Sequence, residues 1–177
     1  MKTRKLTYSA ILLVIAIVLP FLTGQIPEIG QALLPMHIPI LLCGFICGWR
    51  NGLIIGIIAP ILRSVLFGMP PMFPIALSMS IELGMYGLIA GLFYSMLPKN
   101  NTSIYTSLIV AMLFGRMAWG MSMMLMMSMT GGTFTFGAFI TAAFVSSIPG
   151  IILQLILIPI IVISLKNHIV LVSSHQE

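Results

Sequence analysis

The stretch PIALSMSIELGMYGLIAGLFY, residues 74–94, is apolar from end to end except for Glu82. Its length is close to the roughly 20 residues that an α-helix needs to cross the hydrocarbon core of a bilayer. The whole chain of 177 residues has only three acidic side chains, and one of them lies inside this segment. A carboxylate in hydrocarbon is tolerated only where it is paired or hydrated, so Glu82 is a candidate functional residue.

The composition of the chain predicts an integral membrane protein. Hydrophobic residues make up 59% of the sequence and charged residues 6%, whereas a soluble domain carries about 25% charged residues. The net charge of +5 is therefore a topology signal and not an indication of nucleic-acid binding. The basic and then apolar N-terminus has no small-residue cleavage site, so we expect it to remain as a first helix. Cys43 and Cys47 lie in an apolar run and are expected to be small buried residues.

The apolar runs and their breaks predict an all-α fold with six transmembrane helices in a single domain, residues 1–177. The breaks are the proline-rich segment 68–74 and the turns at 98–101 and 130–133, because proline removes a backbone donor and restricts the residue before it. The predicted helices cover residues 6–24, 37–48, 52–67, 74–97, 103–129 and 137–165.

The basic residues predict the orientation of these helices. With six spans both termini lie on one side, and that side has Lys2, Arg4, Lys5, Arg50, Lys99 and Lys166, whereas Glu28 lies in a loop on the opposite side. The positive-inside rule therefore predicts that both termini are cytoplasmic.

Polar side chains in the apolar runs are predicted to meet near the outer half of the bundle. Ser78, Glu82 and Tyr86 follow each other at intervals of four residues and share one face of the fourth predicted helix. The other candidates come from neighbouring helices and are His37, Arg63, Arg116 and Trp119. Two interpretations stay open: Glu82 forms a structural ion pair with Arg63 or Arg116, or the group forms a pocket for a small polar ligand.

Small residues recur every four positions at Gly44, Gly48, Gly52 and Gly56. This spacing lets membrane helices approach closely. The series predicts either packing within the chain or a docking face for another membrane subunit.

The block LPMHIPILLCGFICGWRNGLIIGIIAPILRSVLFGMPPMFPIALSMSIELGMYGLIAGLFY, residues 34–94, carries a family resemblance. Prolines bound the start of the second helix, a short glycine-containing turn follows, and Pro60 lies in the third helix. A proline-rich loop then precedes a helix with Glu82 and Tyr86. With the basic N-terminus, this order resembles the substrate-binding S-components of energy-coupling factor (ECF) vitamin transporters.

The resemblance implies a vitamin-binding pocket on the outer side, built from helices four to six and capped by the first and third outer loops. It implies as partners a transmembrane coupling subunit and two cytoplasmic ATPases, without a cofactor or a metal in this chain. The sequence has no G-x-x-x-x-G-K-[ST] motif, so we expect ATP hydrolysis in the partners and no enzymatic activity here. The family often has an Ala-x3-Ala docking motif in helix one, but Ala10 and Ala16 are six residues apart. Docking is therefore expected at Ala10 together with the glycine series.

The identity of the vitamin and some alternative functions stay open. A pyridoxine-like or hydroxymethylpyrimidine-like ring would use Glu82 and an aromatic partner, a carboxylate such as pantothenate would use Arg63 or Arg116, and riboflavin is a bulkier candidate. We favour pyridoxine-like compounds or pantothenate. The alternatives are a self-sufficient secondary transporter, a Cu(I)-handling protein based on the methionine-rich residues 121–129, and an intramembrane enzyme using His37, Ser64 and Glu82.

Overall fold

The computed structural model describes residues 2–23 and 26–165, and this part of the chain is helical without any strand. The helices are α1 Lys2–Val18, α2 Pro27–Leu33, α3 His37–Cys47, α4 Trp49–Phe67, α5 Leu77–Met96, α6 Asn101–Met129, α7 Phe136–Ile140 and α8 Ile148–Ser164. A 3₁₀ turn at Leu19–Thr23 continues α1, and π-helical turns at Met72–Ala76 and Thr141–Val145 precede α5 and α8. The predicted all-α membrane fold is confirmed.

The predicted number of six membrane spans holds only approximately. Among the described residues, four helices are long and apolar enough to span, and α7 with α8 forms a fifth candidate that is bent by 41°. Helix α3 has 11 residues and rises about 16 Å, which is short of the ~30 Å hydrocarbon core. The range predicted as one helix at 137–165 is broken because Pro149, which lacks an amide hydrogen, lies in the first turn of α8. Gly24 ends the predicted first helix, and Lys166 is one of the basic residues that predict the orientation. Both lie outside the described residues.

The helix ends follow from local chemistry. Asn100 caps α6, since its Oδ1 accepts hydrogen bonds from Ser103 N at 2.8 Å and from Ser103 Oγ at 2.6 Å. Gly68 ends α4 with φ 68°, a conformation that glycine adopts easily, and its amide donates to Ser64 O. Pro70 and Pro71 follow and prevent the helix from continuing.

Helix α5 is the centre of the bundle, and α3 and α4 pack against it through glycines. A Cβ built on Gly52 would lie 2.6 Å from Gly87 O, and one on Gly56 would lie 2.3 Å from Leu83 O. Such distances are too short for any side chain, so the backbones of these helices touch directly. We call this contact the glycine seam; it consists of Gly44, Gly52, Gly56, Gly87 and Gly91.

The glycine seam corrects the expectation that the series docks a partner. Gly44, Gly52 and Gly56 are buried inside the chain, so no face remains there for another subunit. Gly48 has a different role, because it turns the chain from α3 into α4 with φ 93°. Ala10, by contrast, is exposed on α1.

The basic residues at the start of α1, at the start of α4 and after α5 lie toward one end of the bundle, whereas Arg63 and Arg116 lie elsewhere. A Cβ on Gly91 would meet Trp49 N at 2.5 Å, which brings the end of α5 next to the start of α4 and Arg50. Cys43 Sγ donates to Ser9 Oγ at 3.6 Å, so α1 packs along α3. Lys5 is close enough to Cys47 to interact with it electrostatically, which places the start of α1 beside the end of α3. Lys99, in the turn after α5, therefore lies at the same end. The side of the membrane that this end faces stays a prediction.

Candidate functional site

Four of the predicted site residues form one buried polar cluster. Glu82 Oε1 lies 3.0 Å from Arg116 Nη1 and 3.3 Å from His37 Nε2. The ring of Tyr86, one turn after Glu82, meets the His37 ring edge to face at a centroid distance of 5.0 Å. We call His37, Glu82, Tyr86 and Arg116 the polar cluster; each is at most 4% exposed. Glu82 thus pairs with Arg116, one of the two partners that the sequence left open.

Three helices position the polar cluster. Helix α3 begins at His37, whose amide donates to Leu34 O at 3.1 Å, and because α3 is short its first residue lies deep in the bundle. Glu82 and Tyr86 face the same way because they are four residues apart on α5. Gly115 allows α6 to reach them, since a Cβ there would lie 2.6 Å from Tyr86 Cδ2.

The polar cluster has more hydrogen-bonding capacity than it uses. Within the described part of the chain, His37 Nδ1, Tyr86 Oη and Arg116 Nε and Nη2 are buried without a hydrogen-bond partner. Glu82 Oε1 also lacks one, because Arg116 and His37 lie at contact distance without aligned hydrogen bonds. Buried polar groups are nearly always paired in native proteins. A concentration of unpaired groups at one place therefore suits a polar guest such as a ligand or water.

A cavity of about 170 Å³ adjoins the polar cluster. Its walls come from α5, α6 and the segment from α7 to α8, and they include Tyr86, Met112, Arg116, Phe144, Ile151 and Leu155. The surface that these residues present is apolar. The cavity is partly open, and the polar groups of Tyr86 and Arg116 are buried behind its apolar surface. Small-molecule sites are commonly apolar clefts with a few polar groups nearby.

The first loop covers α8 near this cavity. A Cβ on Gly150 would lie 2.6 Å from Ala32 O and 2.9 Å from Leu33 O, so α2 lies directly on the start of α8. Leu34 ends α2 in the left-handed region, with φ 51°. The chain from α2 to His37 therefore links the surface of the bundle to its polar cluster.

Arg63 lies apart from the polar cluster. Its Nη1 donates to Ile17 O, and its guanidinium lies 4.9 Å from the ring centroid of Phe21 and 5.7 Å from that of Phe67. These contacts tie α4 to the end of α1. The sequence gives the depth of Arg63 along its helix, whereas its direction around the helix depends on packing.

Ser78 and Trp119 are near the polar cluster in sequence but have other neighbours. Ser78 Oγ donates to Pro74 O at 2.9 Å and lies 3.4 Å from the sulfur of Met126. Trp119 stacks with Phe139 at a centroid distance of 6.4 Å and meets Phe134 edge to face. Ser78 thus joins α5 to the methionine-rich part of α6, and Trp119 joins α6 to the segment before α8.

Gln154 of α8 is a candidate that the sequence analysis missed. It is fully buried, and neither of its amide atoms has a hydrogen-bond partner among the described residues. Its neighbours Ile151 and Leu155 line the cavity. The available signal was the same one that identified Glu82, since Gln154 is the only polar side chain in GIILQLILIPII, residues 150–161.

Comparison with known families agrees with this arrangement. The family model described as ECF transporter, substrate-specific component, matches residues 4–162. The chain belongs to this family. The family assignment confirms the sequence-based resemblance and identifies a membrane transport subunit that is not an enzyme. Neither a curated protein nor a solved structure matched the chain.

Proposed function

We propose that this substrate-specific component captures a small vitamin or vitamin precursor from the outer side of a prokaryotic plasma membrane. Delivery to the cytoplasm would then use the transmembrane coupling subunit and two ATPases of an ECF module. The observation that carries the proposal is the buried polar cluster, with its unpaired hydrogen-bonding groups, beside an apolar cavity. That combination suits a ligand with an apolar body and a polar end.

The size of the cavity favours a small ligand. Its volume of about 170 Å³ is below the roughly 300–1,000 Å³ that is usual for sites of drug-sized molecules. Pyridoxine-like rings, hydroxymethylpyrimidine-like rings and pantothenate therefore suit it better than riboflavin.

The roles of the polar residues follow from their positions. Tyr86 and Arg116 line the cavity and are proposed to contact the ligand directly. Glu82 lies between Arg116 and His37 and is proposed to hold both in place and to accept a hydrogen bond from the ligand. His37, at the junction of the first loop and α3, is proposed to link ligand binding to the position of that loop.

The exposed apolar face of α1 is the proposed contact for the coupling subunit. It includes Ala10, Ile11, Val14 and Val18, whereas the glycine seam is used within the chain. The basic end of the bundle is proposed to face the cytoplasm under the positive-inside rule. A cysteine placed at Lys99 should therefore resist membrane-impermeant labelling of intact cells, and labelling from outside would contradict this orientation.

Purification of the chain without its partners tests the proposed function. We expect a small molecule to copurify, to be identifiable by mass spectrometry, and to rebind to the chain in lipid nanodiscs without ATP. Binding that strictly requires the ATPases would contradict a self-contained pocket. Net uptake into liposomes that contain only this chain would instead support the secondary-transporter alternative, and copper in the purified protein would support the Cu(I) alternative.

A further inference from the structure

The hydrogen-bonding groups of Arg116 are divided between two sides of its guanidinium. Nη1 faces Glu82 Oε1 at 3.0 Å. Nε and Nη2 have no hydrogen-bond partner in the described parts of the chain, although the residue is only 4% exposed. Leaving charged donors buried and unpaired is destabilising, and arginine cannot avoid this by losing its proton. This side of Arg116 therefore has unused capacity for a polar partner such as a ligand.

The two free nitrogens have a defined shape. Nε and Nη2 form one edge of the planar guanidinium and direct two parallel N–H groups the same way. This fork matches the two oxygens of a carboxylate in a bidentate contact, which is among the strongest hydrogen-bonded pairs in proteins. Tyr86 Oη interacts with Arg116 but makes no aligned hydrogen bond among the described residues, so its hydroxyl can add a third donor at the same place.

We propose that the free edge of Arg116 is a carboxylate subsite. This inference rests on the proposed function and narrows its substrate class to a monocarboxylate. The carboxylate contacts Nε and Nη2 of Arg116 while the rest of the ligand occupies the apolar cavity. Glu82 acts as a positioning residue, because its contact with Nη1 keeps the opposite edge directed away from it.

The charges around the subsite favour a carboxylate over a phosphate. Glu82 already balances the single positive charge of Arg116, so a ligand carboxylate adds one negative charge to the polar cluster. A phosphate dianion would add two negative charges, and burying the second one in an apolar surrounding is more unfavourable still.

Matched pairs of acids and neutral analogues test the subsite on the full chain in nanodiscs. The pairs are pantothenate with pantothenol, 4-pyridoxate with pyridoxine, and nicotinate with nicotinamide, and binding is measured by calorimetry and by thermal stabilisation. We expect at least one acid to bind, and to bind about tenfold to a hundredfold more tightly than its neutral partner, since that partner cannot form the bidentate contact. Inorganic phosphate should neither bind nor compete.

Two variants assign the preference to Arg116. Arg116→Lys keeps a positive charge for Glu82 but removes the fork, so it should abolish most of the preference for the acid by weakening binding of the acid much more than binding of its neutral analogue. Arg63→Lys is the matched control, because Arg63 is an equally buried arginine that contacts α1 instead of the cavity; it should leave the preference intact.

The possible failures are distinguishable. Equal or tighter binding of the neutral analogues, or an acid preference that survives Arg116→Lys, overturns the carboxylate subsite and leaves the proposed function standing. Failure of all six compounds to bind the folded chain overturns the subsite and counts against the proposed function as well.

Discussion

Two faces of helix α5 differ in how closely they are packed and in how many of their polar groups are hydrogen-bonded. On one face, Gly87 and Gly91 meet the backbones of α3 and α4 at distances that leave no room for a methyl group. On the other face, Glu82 and Tyr86 lie among unpaired polar atoms next to a cavity. The same helix therefore has a face with no free space and a face with unused space and unused hydrogen bonds.

The difference indicates how this chain separates stability from binding. Close backbone contact maximises van der Waals packing, which drives helix association in a membrane because lipid already surrounds apolar side chains. The polar cluster gives up hydrogen bonds that a purely structural core would make. Under the proposed function, the rigid seam on one face of α5 would let the face with the polar cluster keep unpaired groups until a ligand binds.

Gly56→Val should have the largest effect, because it breaks the packed face. A Cβ at this position would lie 2.3 Å from Leu83 O, a backbone atom that cannot move aside alone. We expect a loss of about 3 kcal/mol or more in stability and a low yield of monodisperse protein, measured by thermal unfolding and size-exclusion chromatography. Gly137→Ala is the control, because no described atom lies within 4 Å of a Cβ there; equal loss in both variants would contradict the role of the seam.

Glu82→Gln tests the face of α5 that carries the polar cluster. The change keeps the shape of the side chain and removes its charge. Loss of a charge-assisted hydrogen bond should weaken ligand binding by about 1.5–3 kcal/mol, or about tenfold to a hundredfold in Kd. Both affinity and thermal stability should be measured on one preparation, with Ser80→Ala on the same helix as the control.

The two quantities separate the two interpretations of Glu82. Weaker binding with nearly normal stability supports the ligand site. Poor stability with unchanged affinity in the folded fraction would mean that the pair of Glu82 and Arg116 is purely structural, since breaking a buried ion pair leaves a charge uncompensated.

Gln154→Leu should change the stability of the protein and its affinity for the ligand in opposite directions. Removal of a buried amide that has no partner in the described structure should leave stability unchanged or raise it by about 1 kcal/mol. If the amide pairs with the ligand, affinity should fall about tenfold. Lower stability with unchanged affinity would instead mean that Gln154 supports the fold.

Tyr86→Phe should have the smallest effect of these changes, because it removes a single hydroxyl group from the polar cluster. The hydroxyl has no partner among the described side chains, so its loss should leave stability unchanged. Affinity should fall about twofold to tenfold, as for one neutral hydrogen bond. Tyr94→Phe, farther along α5 and packed against Phe45, is the control; an equal effect of both changes on affinity would contradict a direct contact by Tyr86.

Much of the fold followed from the sequence because it depends on local properties. Hydropathy and length indicate where helices cross the membrane, and prolines and glycines indicate where they end. The exceptions are also local. The segment 137–165 is mostly apolar, yet a break just before Pro149 divides it, and α3 is too short to span by itself.

The sequence by itself determined that the protein is a helical membrane protein with a buried acid on a central helix, because a charge in an apolar run is rare and costly wherever the helix packs. Only the tertiary structure decided that Arg116 and not Arg63 pairs with Glu82, that the glycines pack within the chain, and that Gln154 is buried beside the cavity. Sequence spacing gives the position of a side chain along a helix and its neighbours on the same face. Which face of one helix meets which face of another depends on the packing of the whole bundle, and that packing joins residues far apart in the chain.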